Sequence, residues 1–175
     1  LGIRLITLLW NYENCIGYPN STDPAVMEAG LKPFGVEAVE RMNELGMIVD
    51  VSHLSDGGFW DVLQYSRKPV VASHSNARTL CSHQRNLTDD MLKALGQAGG
   101  VAGVNFYPAF IGNSKDLRIA DIAAHIIHMI NKAGEDAVAI GTDFDGFDWE
   151  GETEIPGTGE MGRLAEYLKE QGLRK

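Results

Sequence analysis

Five short apolar runs, each followed by a segment of helical periodicity, limit this chain to one class of fold. The runs are Gly2–Trp10, Met47–His53, Pro69–His74, Val101–Phe106 and Ala137–Asp143. They have strand length and β-branched content. They are almost continuously apolar, as parallel strands covered on both faces must be. Between Pro33 and Leu45, Phe34, Val36, Val39, Met42 and Leu45 recur at steps of three and four, and Gly46 is a stop signal. Ser55 is a plausible N-cap for a helix over residues 56–66, and Thr88 with Asp89 and Asp90 opens another that ends near Gly99 and Gly100. Further helices are expected over 117–132, stopped by Gly134, and over 160–171. The class is therefore α/β. An open doubly wound sheet and a (β/α)8 barrel both satisfy the alternation.

The ionisable and amide side chains gather at one place in this scheme. Asn11, His53, His74, Asn105 and Asp143 each stand at or just beyond the carboxyl end of an apolar run, and in a barrel those ends form one mouth. Adjacent parallel strands lie about 4.8 Å apart, so His53 and His74, from successive units, can aim at one atom. Neutral imidazole is a common ligand of zinc-type ions. Asp143, in Gly141-Thr142-Asp143-Phe144-Asp145-Gly146, can ligate a metal, move a proton or hold an ammonium. Asp145 fits a turn before Gly146. Arg85 can pair with a substrate carboxylate.

Other features carry less. Gly157-Thr158-Gly159-Glu160-Met161-Gly162 matches a dinucleotide-loop spacing but follows an acidic, proline-containing loop rather than a strand; a loop and helix start are expected there. His125 and His128 are expected on an outer helix. Residues 148–154 form an acidic loop or a flap over the site. Cys15 and Cys81 have no metal or disulfide spacing. With 15 basic against 24 acidic residues, a net charge of −9, nucleic acid is not an expected partner, and no membrane-length apolar segment is present.

The blocks Gly30-Leu31-Lys32-Pro33-Phe34-Gly35, Asp50-Val51-Ser52-His53, Ser73-His74-Ser75-Asn76-Ala77, Arg85-Asn86, Val104-Asn105-Phe106-Tyr107 and Gly141 to Gly146, in this order and spacing, resemble the membrane (renal) dipeptidase family of zinc metallopeptidases over almost the whole chain. The resemblance implies a TIM, or (β/α)8, barrel of which about five βα units are present. It also implies a binuclear zinc site and hydrolysis of dipeptide substrates by a zinc-activated hydroxide. By the same resemblance His53 and His74 look like the two histidines of the second zinc, and Arg85 looks like the arginine that binds the substrate carboxylate. Asp143 looks like the catalytic acidic residue beside the scissile bond. Trp10 stands where mammalian members have a substrate-contacting histidine, a form that looks like bacterial members, so Trp10 or Asn11 is expected as the substitute contact. The family's first-zinc His-x-Asp and its bridging Glu lie upstream of the segment that residues 1–20 resemble.

A (β/α)8 barrel takes at least about 200 residues, against 175 here. Residues 1–175 are accordingly expected to be one partial barrel domain, inactive alone, with Val49, Val51 and Val71 partly exposed and open sheet edges along which copies associate. A cytoplasmic location is expected. Two alternatives stay open on sequence: a non-catalytic, metal-binding relic of such a barrel, and another barrel metallohydrolase such as a deaminase or phosphoesterase.

Overall fold

The computed structural model describes residues 2–173. Five strands, β1 (Leu5–Thr7), β2 (Ile48–Asp50), β3 (Val71–Ala72), β4 (Val101–Val104) and β5 (Val138–Ile140), form one sheet in the order 1-2-3-4-5. Every neighbouring pair is parallel. A doubly wound sheet reverses its order at a switch point. This sheet does not reverse, so its strands follow one another as successive units of a barrel do.

Helices α1 (Pro24–Met27), α2 (Pro33–Glu44), α3 (Asp56–Tyr65), α4 (Asp89–Gln97), α5 (Pro108–Ile111), α6 (Ile119–Ala133) and α7 (Met161–Glu170) complete the described chain. Their starts follow the local chemistry. The Ser55 side chain accepts from Gly58 N at 3.1 Å and that of Thr88 from Met91 N at 3.2 Å, each satisfying an amide that the first turn leaves without a partner. The four-residue helices α1 and α5 were too short to show a period; both begin at a proline. The segment 157–162 is a tight turn entering α7, as expected from its lack of a preceding strand.

Val39 and Met42 from α2, Phe59 and Val62 from α3, Met91, Leu92 and Leu95 from α4, and Ile122, Ile126 and Met129 from α6 are buried with Val49, Val51, Ala72, Ala102 and Val104 of the sheet. Full burial of each large side chain is worth about 1.5–3 kcal/mol. Val49 and Val51 point the same way along an extended chain, toward the helices, and are only 1% and 3% exposed. That corrects the expectation that they would be exposed. Within the strands the exposed large apolar residues are Leu5, Ile48 and Ile140, on the other face or the edge of the sheet. Toward the carboxyl ends this second face turns polar, through Thr7 and Asp50.

His125 lies on α6, a helix outside the sheet as expected, but on its inward face. It is fully buried, one turn from Ile122 and Met129 on the apolar stripe of α6. Its Nδ1 accepts from Ala77 N at 3.2 Å and its Nε2–H donates to Ile111 O at 2.9 Å, tying the loop after β3 and the end of α5 to α6. His128 lies on the flank and pairs with Asp89 at 2.7 Å. Burial holds His125 below its ordinary pKa of 6.5, and a proton on Nδ1 would face the Ala77 donor. The unfolded chain takes up that proton first, so the stability is fully present above pH 6.5 and is lost as pH falls below it. In the full-length protein His125→Gln should flatten the dependence of denaturant midpoint on pH between 7.5 and 5.5. His125→Ala should cost about 2–4 kcal/mol through the cavity and the two unpaired backbone groups. An unaltered slope in His125→Gln would assign the acid sensitivity elsewhere.

Candidate active site

The strands are shorter than the apolar runs because the chain leaves the sheet where the polar residues begin. Just past the ends of β2 and β5, His53 and Asp143 adopt left-handed backbone conformations, φ 74° and 60°, uncommon for residues other than glycine. Such conformations gather at functional sites, where the surroundings over-determine them. Here they turn both side chains into one cavity of about 900 Å³, lined also by Trp10, Asn11, His74, His83, Arg85 and Tyr107. All six side chains named by sequence as metal, catalytic or substrate contacts therefore meet at the carboxyl end of the sheet.

The Nε2 atoms of His53 and His74 lie 2.9 Å apart. Which atom carries each proton follows from the far side of the rings. Asn11 Oδ1 accepts from His53 Nδ1 at 2.9 Å. Ser73 Oγ donates to Asp50 Oδ2 at 2.6 Å and so accepts from His74 Nδ1 at 2.7 Å. Both protons sit on Nδ1, and the two Nε2 lone pairs face each other. Burial, then the positive charge of Arg85, presses His53 down to about 3 and lowers His74 as well, so at neutral pH no proton fills the gap. Two opposed lone pairs in a partly buried site call for a different cation. Nitrogens each about 2.0–2.1 Å from one zinc-type ion and 2.9 Å apart subtend about 90°, so the donor pair fits such an ion. Among the described residues no third His, Cys, Asp or Glu joins them.

Asp50 was not singled out by sequence, although a carboxylate inside an apolar run is itself a signal. It is 1% exposed. Its oxygens accept from Thr7 Oγ1 (2.6 Å), Ser52 N (3.1 Å), Ser73 N (2.9 Å) and Ser73 Oγ (2.6 Å). One anion thereby organises the ends of β1, β2 and β3 and, through Ser73, the His74 ring. Outer partners of this kind fix the tautomer and orientation of a ligating histidine.

Arg85 is 7% exposed, with Phe110 beneath its guanidinium at 5.4 Å and Nη2 donating to His74 O at 3.2 Å. Its Nε is buried without a partner, and among the described residues it forms no ion pair. Burial lowers it to about 10, which Asp143 and Asp50 partly offset, and it stays charged at neutral pH. An unpaired cation at that depth costs several kcal/mol, and an anionic ligand would relieve it. Asp143 receives Asn105 Nδ2 at 3.2 Å. Gly146 leaves it room, since a Cβ there would lie 2.2 Å from Asp143 Oδ1. Trp10 stands at the rim, 62% exposed, its ring centroid 6.4 Å from that of His53. The acidic loop is anchored rather than loose, through Leu117 N to Glu152 O (2.8 Å) and Glu154 N to Leu117 O (3.0 Å).

No described helix is long and apolar enough to cross a membrane. An uncharacterized dipeptidase of Schizosaccharomyces pombe is 44% identical over 149 residues, 83% of this chain and 36% of its own length. An uncharacterized protein of Klebsiella pneumoniae, encoded 5′ of pqqA, is 41% identical over 155 residues, 83% of this chain and 56% of its own. Among solved structures, a metallopeptidase of Rhodobacter sphaeroides, crystallised with a phosphinate mimic of the dipeptide L-Ala-D-Ala, superposes with a TM-score of 0.88 at 29% identity, over 99% of this chain and 51% of that one. The chain thus spans roughly a third to just over half the length of these proteins. A sheet whose order never reverses and a histidine pair at its carboxyl end agree with the sequence model that matches residues 1–171, and the chain belongs to the membrane dipeptidase family, peptidase family M19.

Proposed function

We propose that the full-length protein is a metal-dependent dipeptidase and that this chain supplies the second half of its site. The observation that carries the reading is the pair of opposed imidazole nitrogens in one cavity with an arginine that has no anionic partner and a carboxylate. His53 and His74 would hold one ion of a binuclear zinc pair. Bound there, zinc polarises a carbonyl and lowers the pKa of bound water.

The chain's own groups account for substrate choice and proton handling. Arg85 binds the α-carboxylate, which supplies the anion its burial calls for, and so fixes the length of peptide that fits. Asp143 receives the substrate ammonium, takes up the proton that the attacking water gives up and passes it to the amine that leaves. Tyr107, Phe110 and Phe147, packed with ring centroids 4.8 Å apart, wall off water from the peptide. Asn11 orients His53, and the substrate contact on that side falls to Trp10. A need for a free carboxylate separates this reading from a deaminase or a phosphoesterase.

The test is a comparison of dipeptides with their C-terminal amides in the full-length protein. Arg85→Ala should raise KM for the free acids by the equivalent of about 2 kcal/mol or more, the worth of a charge-assisted hydrogen bond. The amides should already be poor substrates of the wild type. Equal turnover of acids and amides by the wild type would remove Arg85 from this role.

A further inference from the structure

We propose that His83 is a second donor to the substrate carboxylate, acting beside Arg85; this rests on the dipeptidase reading. His83 lines the same cavity. Its ring packs on Phe110 at 4.6 Å between centroids, the aromatic ring that also carries the Arg85 guanidinium. Phe110 therefore fixes both side chains against one apolar surface.

The tautomer of His83 is set by the backbone. Arg85 N donates to His83 Nδ1 at 3.2 Å, so Nδ1 presents its lone pair inward and the ring proton sits on Nε2. Among the described residues Nε2 has no partner, and it is free for a ligand in the cavity. Burial, followed by the positive charges of Arg85 and Arg78, lowers the pKa of His83, which keeps it a neutral donor. A neutral N–H beside a guanidinium suits a carboxylate better than a second full cation would, because two buried cations repel one another when the ligand has left. Arg85 supplies charge and His83 supplies direction, through a hydrogen bond whose geometry the 83–85 turn fixes. The turn is held in place by Asn86, whose Nδ2 donates to Cys81 O at 2.9 Å and to Phe110 O at 2.8 Å.

The experiment uses the full-length protein with its metal, the variants His83→Ala, His83→Gln and Arg85→Ala, a dipeptide and its C-terminal amide. His83→Ala should raise KM for the free acid by about tenfold while kcat stays within twofold, and kcat/KM for the amide should not change. His83→Gln, which restores a side-chain N–H, should recover most of the loss. Metal content should match the wild type in every variant. A His83→Ala enzyme that loses equally on acid and amide, or loses nothing, overturns the proposal while Arg85→Ala remains selective for the acid. If Arg85→Ala is itself unselective, the carboxylate reading of the cavity is what has failed, and the role of His83 fails with it.

Discussion

The full-length protein carrying His53→Ala and His74→Ala should hold one metal ion fewer per chain than the wild type and turn over dipeptides at least about a thousandfold more slowly, some 4 kcal/mol of barrier. The two imidazoles are the donors whose lone pairs have no other partner, so their removal takes away a ligand pair. Elemental analysis of the purified variant measures the stoichiometry, and a circular dichroism spectrum like that of the wild type shows that the barrel still forms. Unchanged stoichiometry would mean that these histidines are not ligands. A graded version of the experiment separates ligation from orientation. Ser73→Ala touches neither Nε2 atom but breaks the path from Asp50 to the His74 ring, and it should weaken metal binding about 10–100-fold. Asn11→Ala should act in the same sense on His53, whose Nδ1 it accepts from.

This inner layer marks the limit of what the residues alone disclosed. His53 and His74 were legible because successive apolar runs end in them, and the parallel sheet brings such ends together whatever the details of the loops. Arg85 and Asp143 were nameable from their motifs, but the apolar support of Arg85 comes from Phe110 and the anchoring of Asp143 from Asn105, which arrive from other units. Asp50 could have been read as a buried carboxylate from its place inside an apolar run. Its four donors come from three different strand ends, and no pattern along the chain specifies that convergence. His125 is expected only on an outer helix, although its spacing from Ile122 and Met129 is that of the buried stripe of α6. The strand limits failed for a backbone reason. The apolar runs continue to His53 and Asp143, yet strand pairing ends at Asp50 and Ile140; the left-handed conformations at His53 and Asp143 belong to the turns that follow, which side-chain patterning does not encode.

That same backbone conformation makes Asp143→Asn a clean test of proton handling. Asparagine accepts a left-handed conformation as readily as aspartate does, so φ of 60° is no obstacle to the substitution. The amide oxygen can still receive Asn105 Nδ2, which now donates to Asp143 Oδ2 at 3.2 Å. Shape and anchoring persist while the charge and the ability to take up a proton are lost. In the full-length protein kcat should fall about 10²–10⁴-fold, the usual worth of a positioned acid or base, with metal content unaltered. A variant within tenfold of wild type would leave Asp143 with only a binding role. Gly146→Ala probes the same group from outside. Its Cβ would fall 2.2 Å from Asp143 Oδ1, so the carboxylate must move although its chemistry is intact. A fall in kcat there, with metal content unaltered, would show that the position of Asp143 matters as well as its charge.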